Sequence, residues 1–175
     1  MSMKSPRSFL ALTFLLMATN TGNAYGETQE PTKDILDPIQ MLQPGETHCG
    51  VLSRTMSSTQ TLLQNTPSIM TGSERERSER VLNIALAILD HHNNAQGCGL
   101  ERLDPAQIPE LEPGETHCER LGQVMNDAYA LRQNVSNTTT GEQQTRQEII
   151  MRRTEMLFAR HHLNACILGL DPPGQ

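Results

Sequence analysis

Apolar residues recur along this chain at helical rather than strand spacing, in four separate runs. In the first, Cys49, Leu52, Met56 and Leu63 fall on one side of a helix, and in the third Cys118, Leu121, Met125, Ala128 and Leu131 do the same. The second run, "ERERSERVLNIALAILDHH", opens on alternating charges and continues through Val81, Leu82, Ala85, Leu86, Ile88 and Leu89. Glu76 and Arg80 stand four apart there, in the favourable order for a surface pair. The fourth, "QEIIMRRTEMLFARHHLNACIL", carries Ile149, Ile150, Met156, Leu157, Leu163 and Ile167 on a broad apolar stripe. Two stretches, "NTPSIMTGS" and "NVSNTTTG", break the pattern with Pro, Gly, Asn and Thr. "SRTMSSTQT" is a weak helix former, because Ser and Thr compete for backbone hydrogen bonds. The pattern predicts four helices of about 20 residues, each roughly 30 Å long. An aspartate at Leu86 or Met156 would then put an unpaired charge into the core.

The four runs form two copies of one unit. "PGETHC" occurs at 44–49 and again at 113–118, and "LDP" recurs at 36–38, 103–105 and 170–172. A His-His pair, then "NA" and a Cys follow in each copy, as "HHNNAQGC" and "HHLNAC". Repetition of this kind marks a duplicated supersecondary unit. One helical hairpin is marginal alone, whereas two packed together bury several seams. The expected fold is therefore all-α: tandem duplicated, disulfide-stapled helical hairpins packed as a four-helix bundle. The expected organisation is a signal peptide over 1–24, an N-terminal tail over 25–40, and hairpin repeats over 41–105 and 106–175.

Cys49 and Cys118 stand at helix starts, and Cys98 and Cys166 just past the following helix ends. In an antiparallel hairpin those places share one end, so the pairing Cys49–Cys98 and Cys118–Cys166 staples each hairpin opposite its turn. Pro and Gly of PGETHC stop the incoming chain, and Glu46 and Glu115 favour the positive end of the helix dipole. Thr47 and Thr116 are N-caps, and Thr116 with Glu119 matches a capping box that Gly50 leaves incomplete in the first copy.

The histidines are left over by that architectural reading. His48, His91 and His92 gather near the first staple with Glu46; His117, His161 and His162 gather near the second with Glu115. Imidazoles beside a carboxylate suit zinc, copper or nickel. Adjacent helical residues point about 100° apart, so one histidine of each doublet faces away from any inward site. Histidine near a helix C-terminus is also favoured by the dipole without any metal. If the linker "GLERLDPAQIPELEPG" turns straight back, all six histidines share one end of the bundle, and one metal ion bridges the copies.

Composition narrows the rest. Lys4 and Arg7 precede the apolar run at 9–18, and Gly22 and Ala24 give a small-x-Ala ending, the pattern of a secretory signal. An apolar run that short does not span a bilayer, which takes about 20 residues. Export, periplasmic or extracellular, suits disulfides. The formal charge is −6, and cleavage after Ala24 removes Lys4 and Arg7 but no acid, leaving −8. That balance argues against nucleic acid and anionic membranes as partners. Only Tyr25, Tyr129 and Phe158 remain as aromatics, too few for a stacking platform. The chain contains no CxxCH, phosphate loop, GxSxG or EF-hand pattern, and no catalytic residue is assigned. Met56 with a histidine is a minor haem-ligand candidate, and Asn134 and Asn137 head glycosylation sequons. The sequence thus points to an exported module that binds another exported protein, non-catalytic and without a cofactor. The alternative is a metal-binding or metal-handling protein using His48, His91, His92, His117, His161 and His162.

Overall fold

The computed structural model describes residues 42–168. The expected signal segment and most of the tail lie outside the described residues, as does the third LDP. The described chain is helical without strands: α1 (His48–Ile69), α2 (Gly72–Gln96), α3 (His117–Thr138) and α4 (Gly141–His162). A short 3-10 turn (Pro105–Gln107) lies in the central linker, and a π-helical turn (Leu163–Ile167) extends α4. Helices α1 and α3 run further than the pattern break suggested, through "NTPSI" and "NVSNT". Pro67 stands on the exposed side of the last turn of α1, and the helix ends soon after it. Each hairpin then turns on Met70–Thr71 or Thr139–Thr140, followed by a glycine at positive φ, Gly72 at 60° and Gly141 at 62°.

Helix α1 packs on α2 and α3, and α4 packs on the same two. Asn65, near the end of α1, touches His117 at the start of α3, while Asn134, near the end of α3, touches His48 at the start of α1. These two helices are therefore antiparallel, and the two hairpins are related by a pseudo-two-fold axis across the bundle. The 69-residue offset between the PGETHC copies relates the core positions as well: Leu52 to Leu121, Leu62 to Leu131, Leu82 to Met151 and Leu89 to Phe158, all buried. Several of the threonines of α1 occupy places where α3 has apolar residues, Thr55 against Val124 and Thr66 against Val135. Their hydroxyls donate to the carbonyl one turn back, Thr55 to Val51 at 2.7 Å and Thr66 to Leu62 at 2.8 Å. With its polar atom satisfied locally, threonine packs there as an isostere of valine.

The expected shared end is overturned. The linker does not turn straight back but runs along the bundle and carries the chain to the opposite end. Gln60 in mid-α1 grips it in both directions, Nε2 donating to the Leu103 carbonyl at 3.1 Å and Oε1 accepting from Leu103 N–H at 3.3 Å. Thr61 donates to the Pro109 carbonyl at 2.8 Å. His48 and His92 consequently lie at one end, and His117 and His161 at the other.

The apolar stripe expected on α4 is also corrected. Its buried face is Gln147, Met151, Thr154, Phe158 and His161, while Ile149 and Met156 are 49% and 67% exposed. On α2 the expected face holds, with Leu86 at 2% exposure. Leu86→Asp should therefore unfold the protein, because its charge would have no partner or water. Met156→Asp should leave the far-ultraviolet dichroism and melting point nearly unchanged. Equal loss of helix in both variants would contradict this placement.

Candidate functional site: two buried histidine pairs

PGETHC builds the entry to each site. Pro44–Gly45 and Pro113–Gly114 turn the chain with the glycines at φ 93° and 87°, which a Pro-Gly turn of type II requires. Glu46 N–H closes the first turn onto the Gln43 carbonyl and Glu115 N–H the second onto Glu112, each at 2.9 Å. Thr47 caps α1 through Gly50 N–H, and Thr116 caps α3 within a complete capping box with Glu119. The next residue, His48 or His117, enters the core as the first residue of its helix, and the following cysteine is stapled. The bridges are Cys49–Cys98 and Cys118–Cys166, with Cα atoms 5.4 and 5.8 Å apart.

Both carboxylates stay away from the imidazoles. Glu46 pairs with Arg54 at 2.7 Å, and the same guanidinium forks onto Asp127 of α3, joining the two repeats. Glu115 pairs with Arg120. The surface pair expected between Glu76 and Arg80 is instead Arg75 with Glu79.

Each site joins two imidazoles through Nε2: His48 to His92 at 2.8 Å, and His117 to His161 at 2.9 Å. All four rings are buried. His91 is exposed beside a surface groove, and His162 is half-buried, so one member of each doublet turns away as the helical geometry requires. The doublets match by letter but not by phase. His92, the second of its doublet, is equivalent to His161, the first of the other. The helix ends differ accordingly. After His92 the chain leaves α2 through Gly97, at φ 67°, and reaches Cys98 outside the helix. After His161 the cysteine arrives one residue sooner, on a π-helical turn.

The neighbours set the tautomers. Asn134 accepts from the Asn137 amide at 2.7 Å, which turns its own N–H₂ to His48 Nδ1 at 3.2 Å. Nδ1 of His48 is then an acceptor, so its proton is on Nε2 and is donated to His92 Nε2. His92 carries its proton on Nδ1 and donates it to Gln147 Oε1 at 2.6 Å. The second site repeats the first steps: Asn65 Nδ2 meets His117 Nδ1 at 3.3 Å, with Ser68 Oγ 2.8 Å from Asn65 Oδ1. This chain requires neutral rings. Burial, and then the neighbouring imidazole, pushes His48 down to about 4 and His117 down to about 3. Burial likewise pushes His161 down to about 4 and lowers His92, with Gln147 opposing in the latter.

Each nitrogen of His48, His92 and His117 is thus engaged within the protein. Among the described residues no group of three or more His, Cys, Asp or Glu side chains is placed to hold a metal ion. The six candidate ligands are divided: two pairs are formed at opposite ends, and His91 and His162 join neither. Met56 is buried among the apolar core residues. The sequon residues Asn134 and Asn137 are tied to each other and, through Asn134, to His48. Sequence reasoning missed Asn65, Asn134 and Gln147. The two asparagines share the 69-residue offset of His48 and His117, a signal that was legible, whereas Gln147 has Ser78 as its counterpart. No protein-family model, curated protein or solved structure matches the chain.

Proposed function

We propose that this is a small exported helical module, non-catalytic, that acts by binding another protein through the outward face of α4. One observation carries the reading. Ile149, Met156, Leu163 and Ile167 are 49%, 67%, 48% and 63% exposed, and their spacing puts them on one side of the helix, opposite its buried face. Arg153 and Arg160 lie on the same side, exposed, with Arg152 at its margin; none has an acidic partner among the described residues. Large apolar side chains left in water in a line mark a contact surface rather than scattered exposure. The disulfides, and the absence from the described residues of a helix long and apolar enough to cross a membrane, support export of the folded module.

The charge pattern selects the partner. Two copies meeting antiparallel across α4 would set Arg153 of one against Arg160 of the other, with no acid on that side between Ile149 and Ile167 to separate them. An acidic amphipathic helix meets both demands: apolar residues against the stripe, and carboxylates against the three arginines. The overall charge of −6 disfavours an anionic bilayer as the occupant.

A designed helix with leucines at seven-residue spacing, flanked by glutamates, tests this by fluorescence anisotropy, with a lysine-flanked twin as control. Binding should favour the glutamate peptide and weaken with salt. Met156→Asp should reduce the affinity at least tenfold, about 1.4 kcal/mol, with the helical dichroism intact. Equal binding of the twin, or binding of anionic vesicles but of neither peptide, would overturn the reading.

A further inference from the structure

The pseudo-symmetry that relates the two histidine pairs fails at one position. His92 Nδ1 donates to Gln147 Oε1 at 2.6 Å, and the residue equivalent to Gln147 under the 69-residue offset is Ser78. Ser78 is 1% exposed and His161 is 0% exposed. Ser78 Oγ and His161 Nδ1 are two of the few buried polar atoms among the described residues that have no hydrogen-bond partner. They belong to neighbouring helices: Ser78 to the first turns of α2, and His161 to the last turn of α4, which runs the opposite way.

The tautomer chain makes the imbalance specific. Asn65 faces His117 Nδ1, so the His117 proton is on Nε2 and His161 Nε2 accepts it. The remaining His161 proton is then on Nδ1, a buried donor that destabilises the fold unless it finds an acceptor. Serine is too short to supply one across the distance that glutamine spans. Two orphaned groups, one an obligate donor and the other able to donate or accept, define a small polar site.

We infer that Ser78 Oγ and His161 Nδ1 together form an internal binding site for one water molecule, which takes the place of the Gln147 carboxamide at the other end. The water accepts from His161 Nδ1–H and exchanges a second hydrogen bond with the serine hydroxyl, as buried waters commonly do. One end of the bundle is locked by side chains alone, and the other is locked through an exchangeable molecule.

Heteronuclear NMR of the full chain near pH 7.5 tests this directly. The expected result is an Nδ1–H signal from His161 with a cross-relaxation peak to water, and no such peak for His92. Ser78→Gln should abolish the His161 water peak and raise the melting temperature by a few degrees. Should the longer side chain prove too large, Gln147→Ser provides the reciprocal test: a water peak should appear at His92. A high-resolution crystal structure showing Ser78 Oγ bonded directly to His161 Nδ1, or wild-type protein with no water peak at His161, would overturn the inference.

Discussion

Protein stripped of both disulfides should be largely unfolded at room temperature. Cys49–Cys98 and Cys118–Cys166 close separate loops, with sequence separations of 49 and 48 residues. Each constrains the unfolded chain by about 4 kcal/mol in the chain-entropy model, and the two loops do not overlap. Their joint removal is worth about 8 kcal/mol, comparable to the whole stability of an ordinary domain at about 5–15 kcal/mol. The core has little to set against that loss, since among the described residues Phe158 is the one aromatic side chain in it. A Cys49→Ser, Cys98→Ser, Cys118→Ser, Cys166→Ser variant should show weak helical dichroism and no cooperative thermal transition. Each single-bridge variant should remain folded with a lowered melting temperature. A quadruple variant that melts as the wild type does would contradict the stapled fold.

Acid should be the second large destabiliser. The buried histidines are neutral in the folded protein, because burial pushes them below the ordinary 6.5, down to about 4 for His48, about 3 for His117 and about 4 for His161. In the unfolded chain they titrate near 6.5. As pH falls from about 7 to about 4, the unfolded state takes up protons that the folded state refuses, so stability falls with pH. Each of His48, His117 and His161 contributes at most about 1.4 kcal/mol per pH unit in that window, and His92, also lowered by burial, pulls in the same direction. The loss levels off below the folded-state values, where the native rings also protonate. Urea unfolding at successive pH values should show a steep fall between pH 6.5 and 4. His91→Gln and His162→Gln should leave that fall in place, because those rings are outside the pairs. A flat profile from pH 7 to 4 would contradict the neutral, hydrogen-bonded arrangement.

The helices, the duplication and the cysteine pairing were legible because each rests on local spacing. A cysteine at a helix start and another just past the next helix end are brought together by any antiparallel hairpin. The ends at which the histidines gather were not legible. That depends on which way the 16-residue linker over 99–114 runs, and its direction is held by Gln60 and Thr61, whose side chains take linker backbone groups far along the chain. The faces of α4 misled for a different reason. Hydrophobicity ranks Ile149 and Met156 above Gln147, Thr154 and His161, yet the polar three are inside. Gln147 is buried because His92 awaits it, Thr154 because its hydroxyl bonds the Ile150 carbonyl at 3.2 Å, and His161 because His117 meets it. Partners of that kind are supplied by other helices or by the helix's own turn, and periodicity does not record them. The doublets misled by identity. HisHis reads alike in both copies, but the doublets are 70 residues apart where the helices repeat at 69, and that one-residue slip changes which ring faces inward.

The proposed role of the outward stripe of α4 follows from the same correction: on that reading, residues that the core does not use are offered to a partner. Chemical-shift mapping of the protein during titration with the glutamate-flanked helix tests this most directly. The account predicts perturbations concentrated at Ile149, Arg153, Met156, Arg160, Leu163 and Ile167, with His48, His92, His117 and α1 unmoved. Saturable binding with perturbations centred on the histidine pairs or on the central linker, and with α4 unchanged, would contradict it.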